Sequence, residues 1–297
     1  MRLEHEVRWE HMFPHELEEA FAQCPAVYFA YGLCEPHGPQ NTLGLDALKA
    51  HGILVKTAQA HGGVVAPPDY WHVHEVAGYA TWARENVGEV KPWLTAVPPW
   101  IHFKNICYHV RAAEVLEFRS AIFLTGHYGP NWRDLKTVLE KLQPYVRMRL
   151  YGLPDFEANE PGFDGDGASG DHAGKVETSL LWAIEADCVD IERVPKEVTK
   201  PLFAMGANAG DADPQVGARM VEDEVRWLAA KKDELVAAYD GQVKSRLQTF
   251  DDVECFWRDE IGPIVKNFDS LKNFHTDKEA PPADSRWHAN ALFGDWG

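Results

Sequence analysis

Pro25–Gly32 (PAVYFAYG) runs directly into Leu33–Asp46 (LCEPHGPQNTLGLD), so an apolar segment hands over to a polar loop. The first part is short, rich in β-branched and aromatic residues, and leaves through a glycine. Such a run predicts a strand buried on both faces, as in a parallel sheet covered by helices. The second part packs Glu35, His37 and Asp46 together. An imidazole with two carboxylates is a ligand set for a first-row divalent metal such as zinc or manganese. Glu35 and His37 are two apart, so in an extended segment they point the same way. Asp46 follows a glycine-containing loop and opens a predicted helix, Leu45–Gln59, from which its carboxylate can swing back to the same point. The strand alternation aims Cys34 at the opposite face, as a packing residue. Three ligands make a partial site, which the rest of the chain must complete.

The pattern on either side repeats this alternation. Pro14–Gln23 reads as a short amphipathic helix, Val64–Ala66 as the start of a second strand stopped by Pro67-Pro68, and Ile101–Phe118 as a helix. Ser120–Thr125 (SAIFLT) reads as a buried strand, with Gly126-His127-Tyr128-Gly129-Pro130-Asn131 leaving its carboxyl end. Pro130 suits the first turn of a helix over Asn131–Leu142. Tyr145–Tyr151 is a further strand candidate, and Pro214–Tyr239 a long helix with a solvated charged face. Strands alternating with helices imply an α/β fold with a mostly parallel sheet covered on both sides. Ligands bind such sheets beyond the carboxyl ends of strands, where both the Glu35/His37 segment and His127 fall.

Other segments carry weaker signals. Asp69–Glu75 (DYWHVHE) holds His72 and His74 at strand spacing, as loop histidines or contacts to a substrate. Lys91–Trp100 reads as a loop walling a pocket. Leu153–Gly170 is acidic and glycine-rich; counted from Asp164 its twelfth residue is Lys175, which excludes an EF-hand calcium loop. It leads into Asp171-His172-Ala173-Gly174-Lys175-Val176-Glu177-Thr178-Ser179 and an apolar helix, Leu180–Ala186. Glu177 stands between Val176 and Leu180, where a carboxylate needs a metal or a hydrogen-bond donor.

Composition narrows the function classes. The 297 residues suffice for one large α/β domain or two small ones. The formal net charge is −17 and lacks any Lys/Arg cluster that would reverse it locally, which argues against nucleic acid as a partner. No apolar run is long enough for a membrane span. The N-terminus shows no signal-peptide pattern, and five scattered cysteines fit reduced thiols. Reduced thiols in turn point to the cytoplasm.

Taken together, Glu35-Pro36-His37-Gly38-Pro39, Asp46, Gly126-His127-Tyr128-Gly129-Pro130-Asn131 and His172-Ala173-Gly174-Lys175-Val176-Glu177-Thr178-Ser179 resemble the creatininase family of metal-dependent hydrolases in order and spacing over about residues 8–245. The resemblance implies a three-layer α/β/α sandwich over residues 1–249. Residues 250–297 are then a C-terminal extension packed on that domain or on a neighbouring subunit. It also implies two divalent ions, zinc or manganese: Glu35 and His127 on one, His37 on the other, Asp46 bridging, and a shared hydroxide as nucleophile. A homo-oligomer, commonly a hexamer in the family, is implied too.

Two departures bear on substrate. Where creatinine hydrolases carry a metal-binding glutamate, this chain has Gly129, so Glu177 is assigned as the remaining ligand. Gln40-Asn41-Thr42 stands where relatives often have His-Leu-Pro, which makes Gln40 and Asn41 candidate substrate contacts, with Tyr128 and His74. His172 is the candidate proton shuttle. The implied reaction is opening of a cyclic amide C–N bond. The alternatives are carbon–carbon cleavage of a polyhydroxylated cyclic diketone such as 3-dehydro-scyllo-inosose, and a non-catalytic metal-binding scaffold.

Overall fold

Every second residue of the apolar runs faces the same layer of helices, and this alternation builds the molecule. The computed structural model describes residues 3–74, 93–159, 171–197 and 204–271. The acidic stretch at 160–170, the start of the proline-rich wall at 91–92 and the tail beyond Leu271 lie outside the described residues. Four parallel strands, β1 (Ala26–Tyr31), β2 (Val64–Val65), β3 (Ser120–Thr125) and β4 (Arg149–Pro154), form one sheet in the order β2-β1-β3-β4. β1 and β3 pair in register from Ala26 against Ser120 to Tyr31 against Thr125. Their carboxyl ends therefore lie side by side.

On one face Val27, Phe29, Tyr31, Ala121 and Phe123 pack against α3 (Pro99–Val115) and α4 (Asn131–Leu142). On the other, Tyr28, Ala30, Ile122 and Leu124 pack against α2 (Leu45–His61), α5 (Lys175–Ile184) and α6 (Pro214–Ala237). Both core strands are buried along their whole length, as their uninterrupted apolar runs require. Among the described residues the remaining α-helices are α1 (Pro14–Gln23) and α7 (Phe250–Phe256). The result is a three-layer α/β/α sandwich.

The sequence pattern misplaces one strand. Residues 143–145 form a 3-10 turn instead of opening a strand at Tyr145, and β4 begins at Arg149. Gln143 holds the turn: its amide donates to the Met148 carbonyl at 2.9 Å and accepts from the Leu150 N–H at 3.0 Å. The shift carries the strand on to Pro154, so Asp155 arrives at the sheet's carboxyl edge. The helix expected over Leu180–Ala186 starts earlier, at Lys175, because Asp171 and Asn208 cap it by accepting from the Glu177 and Lys175 N–H groups.

Residues 250–271 show little periodicity yet join the core through Val253, Phe256, Ile261 and Phe268. Two polar clamps fix them. Glu254 accepts from Lys104 Nζ and Tyr108 Oη, each at 2.6 Å. The Asp134 carboxylate accepts from the Asp269 and Ser270 N–H groups at 2.9 and 2.8 Å.

One buried acid sets a pH limit on this fold. Glu224 on α6 is fully buried; one oxygen accepts from Asn159 Nδ2 at 3.0 Å and the other has no hydrogen-bond partner. Burial, reinforced by the nearby Asp155 carboxylate, raises its pKa well above the usual carboxyl range. The folded chain then holds a proton that an unfolded glutamate releases near about pH 4.3. Stability should fall as pH rises above that value, by about 1.4 kcal/mol per pH unit, until the buried group itself ionises. Glu224→Gln should flatten this slope in thermal melts across the range; an unchanged slope would assign it to other groups.

Candidate metal centre

The loop after β1, the first turn of α2, the loop after β3 and the start of α5 meet beyond the carboxyl ends of β1 and β3. His37 is oriented by its own neighbourhood. Its Nδ1 lies 3.0 Å from the Glu35 carbonyl oxygen, which can only accept. Nδ1 is therefore the protonated donor, and Nε2 turns inward. That Nε2 lies 3.0 Å from Asp46 Oδ1, 3.7 Å from Glu35 Oε1 and 3.9 Å from Glu177 Oε2. His127 Nδ1 lies 2.9 Å from Glu35 Oε1 and 3.3 Å from Asp46 Oδ2.

Candidate ligand atoms group into overlapping sets within 4.8 Å of one another: Glu35, Asp46 and His127; His37, Asp46 and Glu177; and Glu35, His37 and His172. Asp46 belongs to the first two. Glu35 Oε1, His37 Nε2 and both Asp46 oxygens are buried and face one another and His127, with no hydrogen-bond partner outside the cluster. Buried polar atoms rarely go unsatisfied unless something else satisfies them. Four such atoms converging, two carboxylates and an imidazole among them, fit a divalent cation in donor type and number.

Electrostatics point the same way. Burial opposes charge on His37, yet the Asp46 carboxylate beside it, with Glu35 and Glu177, lifts its pKa to about 9. Burial likewise opposes charge on Asp46, but His37 and His127 hold its carboxyl at about 2. Glu35 is held well below the usual range against burial by His127, His172 and His74. The pocket thus demands positive charge, which divalent ions can supply in place of protons.

The other predicted residues take distinct places. His74 Nε2 lies 2.9 Å from Glu35 Oε2, so it steadies the second oxygen of that candidate ligand. Glu177 lies in the first turn of α5; its Oε2 accepts from the Ala173 N–H at 2.8 Å and its Oε1 from Lys49 Nζ at 2.6 Å. His172 sets Nε2 2.9 Å from the Pro36 carbonyl oxygen, with its ring 4.6 Å from that of His37. Burial lowers its pKa, which favours the neutral ring, with Nδ1 as the acceptor. Gln40 Nε2 donates to the Ala173 carbonyl at 3.0 Å; Asn41 Nδ2 donates to the His37 carbonyl at 3.0 Å and to Thr178 Oγ1 at 2.9 Å. These amides tie the His37 loop to the His172 loop. The Tyr128 ring packs on Lys49 Nζ, 3.6 Å from its centroid, and its hydroxyl is buried without a partner. His72 is anchored beneath the site, Nδ1 2.9 Å from the Val73 carbonyl and Nε2 3.3 Å from Thr125 Oγ1.

Lys49 and Asp155 were not among the sequence candidates. Lys49 is three residues after Asp46, on the same face of α2, and that spacing was the available signal. Asp155 carried no signal, since its position depends on the shifted end of β4.

The creatininase family model, described as creatinine amidohydrolase, matches residues 10–231. Among solved structures, a creatinine amidohydrolase (creatininase) is 20% identical, covers 77% of this chain and 97% of its own, and superposes with a TM-score of 0.62. A manganese creatininase is 19% identical over 77% of this chain and 98% of its own, with a TM-score of 0.62. A zinc–zinc form of a creatininase mutant is 19% identical over 77% and 97%, with a TM-score of 0.58. No curated protein sequence matches. The structural likenesses at this identity establish the shared fold, and the family model, which spans most of the chain and includes all five of the predicted ligand positions, establishes descent: the chain belongs to the creatininase family.

Proposed function

We propose that this protein is a hydrolase that holds two divalent ions, zinc or manganese, and opens a small cyclic substrate at an amide C–N bond. The observation that carries this reading is the pair of three-residue clusters sharing Asp46, with orphaned donor atoms turned into them. Glu35 and His127 would hold one ion and His37 and Glu177 the other, with Asp46 common to both sets. The relatives with manganese and with two zincs support this choice of metals. Bound there, divalent ions polarise a carbonyl oxygen and make water a nucleophile near neutral pH.

The chain's residues supply the remainder. His74 and the Glu35 carbonyl hold Glu35 and His37 in their orientations. His172, neutral with a proton on Nε2, accepts the water's proton on Nδ1 and passes it to the departing ring nitrogen. Water's oxygen thereby joins the carbonyl carbon, the C–N bond breaks, and the proton ends on nitrogen. Gln40 and Asn41 shape the pocket by fixing the loop that carries His172, and the buried Tyr128 hydroxyl is the polar contact for substrate.

A turnover screen of metal-loaded protein tests this, setting creatinine, other cyclic amides and formamides against cyclic keto-polyols. Opening of a cyclic amide is expected. Turnover of keto-polyols alone would reassign the chain to carbon–carbon cleavage, for which the polar Gln40-Asn41 pair and the acidic stretch from Asp155 to Asp171 suit a hydroxyl-rich ligand, while Gly129 argues against creatinine itself. Less than about one ion per chain would reduce the protein to a scaffold. His172→Ala should lower kcat about 10²-fold or more with metal content unchanged; unaltered kcat would end the shuttle role.

A further inference from the structure

A fully buried ammonium stands behind the metal centre. Lys49 has no exposed surface; its Nζ lies 2.6 Å from Glu177 Oε1 and 3.1 Å from Asp155 Oδ2, over the Tyr128 ring. Glu177 therefore divides its two oxygens between Lys49 and the site. Its Oε1 is held by Lys49, while its Oε2 points towards His37 Nε2 at 3.9 Å and already accepts from the Ala173 N–H. One oxygen only is turned to the site, so Glu177 can serve an ion there with a single atom. The charge on that atom is shared with the lysine.

We propose that Lys49 tunes the second metal position, acting as a fixed internal cation that competes with the ion for the Glu177 carboxylate, and that Asp155 sets the strength of this competition by drawing Lys49 away. The inference rests on the reading of Glu177 as a ligand. Lys49 is a positioning residue: it touches neither substrate nor ion. A cation held this close repels a divalent ion and withdraws electron density from the shared carboxylate. It also keeps Glu177 in its ligand orientation, because a buried carboxylate must have a partner. Lys49 makes its direct contacts with Glu177 and Asp155 and reaches the shared Asp46 only through its charge, so the first position should respond less than the second.

Two variants shift the balance in opposite directions. Asp155→Asn keeps the shape but leaves Lys49 with Glu177 alone, which tightens their pairing. The double variant Lys49→Met/Asp155→Asn removes the ion pair as a neutral unit, so that the Glu177 charge goes wholly to the ion. Metal-free protein, prepared with a chelator and checked for folding by circular dichroism, is titrated with Zn²⁺ and separately with Mn²⁺ against a competing chromophoric chelator. The wild type should bind two ions of unequal affinity. Asp155→Asn should raise the weaker Kd about tenfold, and the double variant should lower it about tenfold, with the tighter Kd moving less in each case. Shifts of the same sign, or none, in protein that still binds two ions would overturn the tuning role and leave the metal centre standing. A wild type that binds fewer than two ions would overturn both. If the double variant does not fold, Asp155→Asn decides alone, because an unchanged or lower weaker Kd contradicts the competition.

Discussion

Asp46→Ala should empty both metal positions and abolish turnover. Asp46 is fully buried, its Oδ1 3.0 Å from His37 Nε2 and its Oδ2 3.3 Å from His127 Nδ1. It is the residue common to the two clusters built on Glu35/His127 and on His37/Glu177. Without it each position keeps two donors from the set, too few for a zinc or manganese site to hold its ion. Loss of a single-position ligand differs in kind: Glu177→Gln should weaken one ion and leave the other. In metal-free protein the alanine variant also removes the carboxylate that favours a protonated His37, so the His37 pKa should drop from about 9. Turnover should fall at least ~10³-fold, the scale for losing a preorganised electrostatic centre. Stability gives an independent measure. An ion present at about a thousand times its Kd stabilises the native state by about 4 kcal/mol. Added Zn²⁺ or Mn²⁺ should therefore raise the Tm of the wild type and leave that of Asp46→Ala unmoved. A variant with full metal content and activity would take Asp46 out of the bridge.

Much of this centre was legible in the sequence because its parts sit where local rules operate. β1 and β3 announce themselves as uninterrupted apolar runs, and the ligand loops leave their carboxyl ends. The short spacing between Glu35 and His37 survives folding. Other features depend on contacts between distant segments, which periodicity does not report. Gln40 and Asn41 read as polar residues lining a pocket, but their donors reach Ala173 and Thr178 more than 130 positions away. Asp171 precedes His172 in the sequence, but its carboxylate caps α5. Lys49 stands three residues after Asp46, but neither of its carboxylate partners, Glu177 and Asp155, lies on its own helix. The segment after Thr249 has no helical period, since its apolar residues enter the core from short successive turns. Gly32 read only as the exit of a strand, and its further role appears only when α2 is set in place.

That role is shared with Gly126, and it leads to the second large effect. A Cβ on Gly32 would lie 2.3 Å from the Ala47 backbone nitrogen and 2.6 Å from Asp46 Cβ; one on Gly126 would lie 2.2 Å from the Asp46 carbonyl oxygen. The first turn of α2 thus rests directly on the backbone at the ends of β1 and β3. Neither backbone can yield as a side-chain tip does, so Gly126→Ala should push the start of α2 outward by about 1 Å, towards ordinary contact distance. Asp46 moves with it, and both clusters lose their shared member. Overpacking of this kind costs about 1–3 kcal/mol of stability, and a misplacement near 1 Å costs about 10²-fold in rate. Metal content separates this from general damage. Gly152→Ala on β4 places its Cβ 2.6 Å from Leu139 Cδ1 and 2.9 Å from Leu135 Cγ, in a side-chain layer with no candidate ligand. It should lower Tm while keeping both ions, whereas Gly126→Ala should lower Tm and lose them. Equal metal retention in the two variants would mean that α2 accommodates the methyl group without moving Asp46, and that the glycine is there for packing alone.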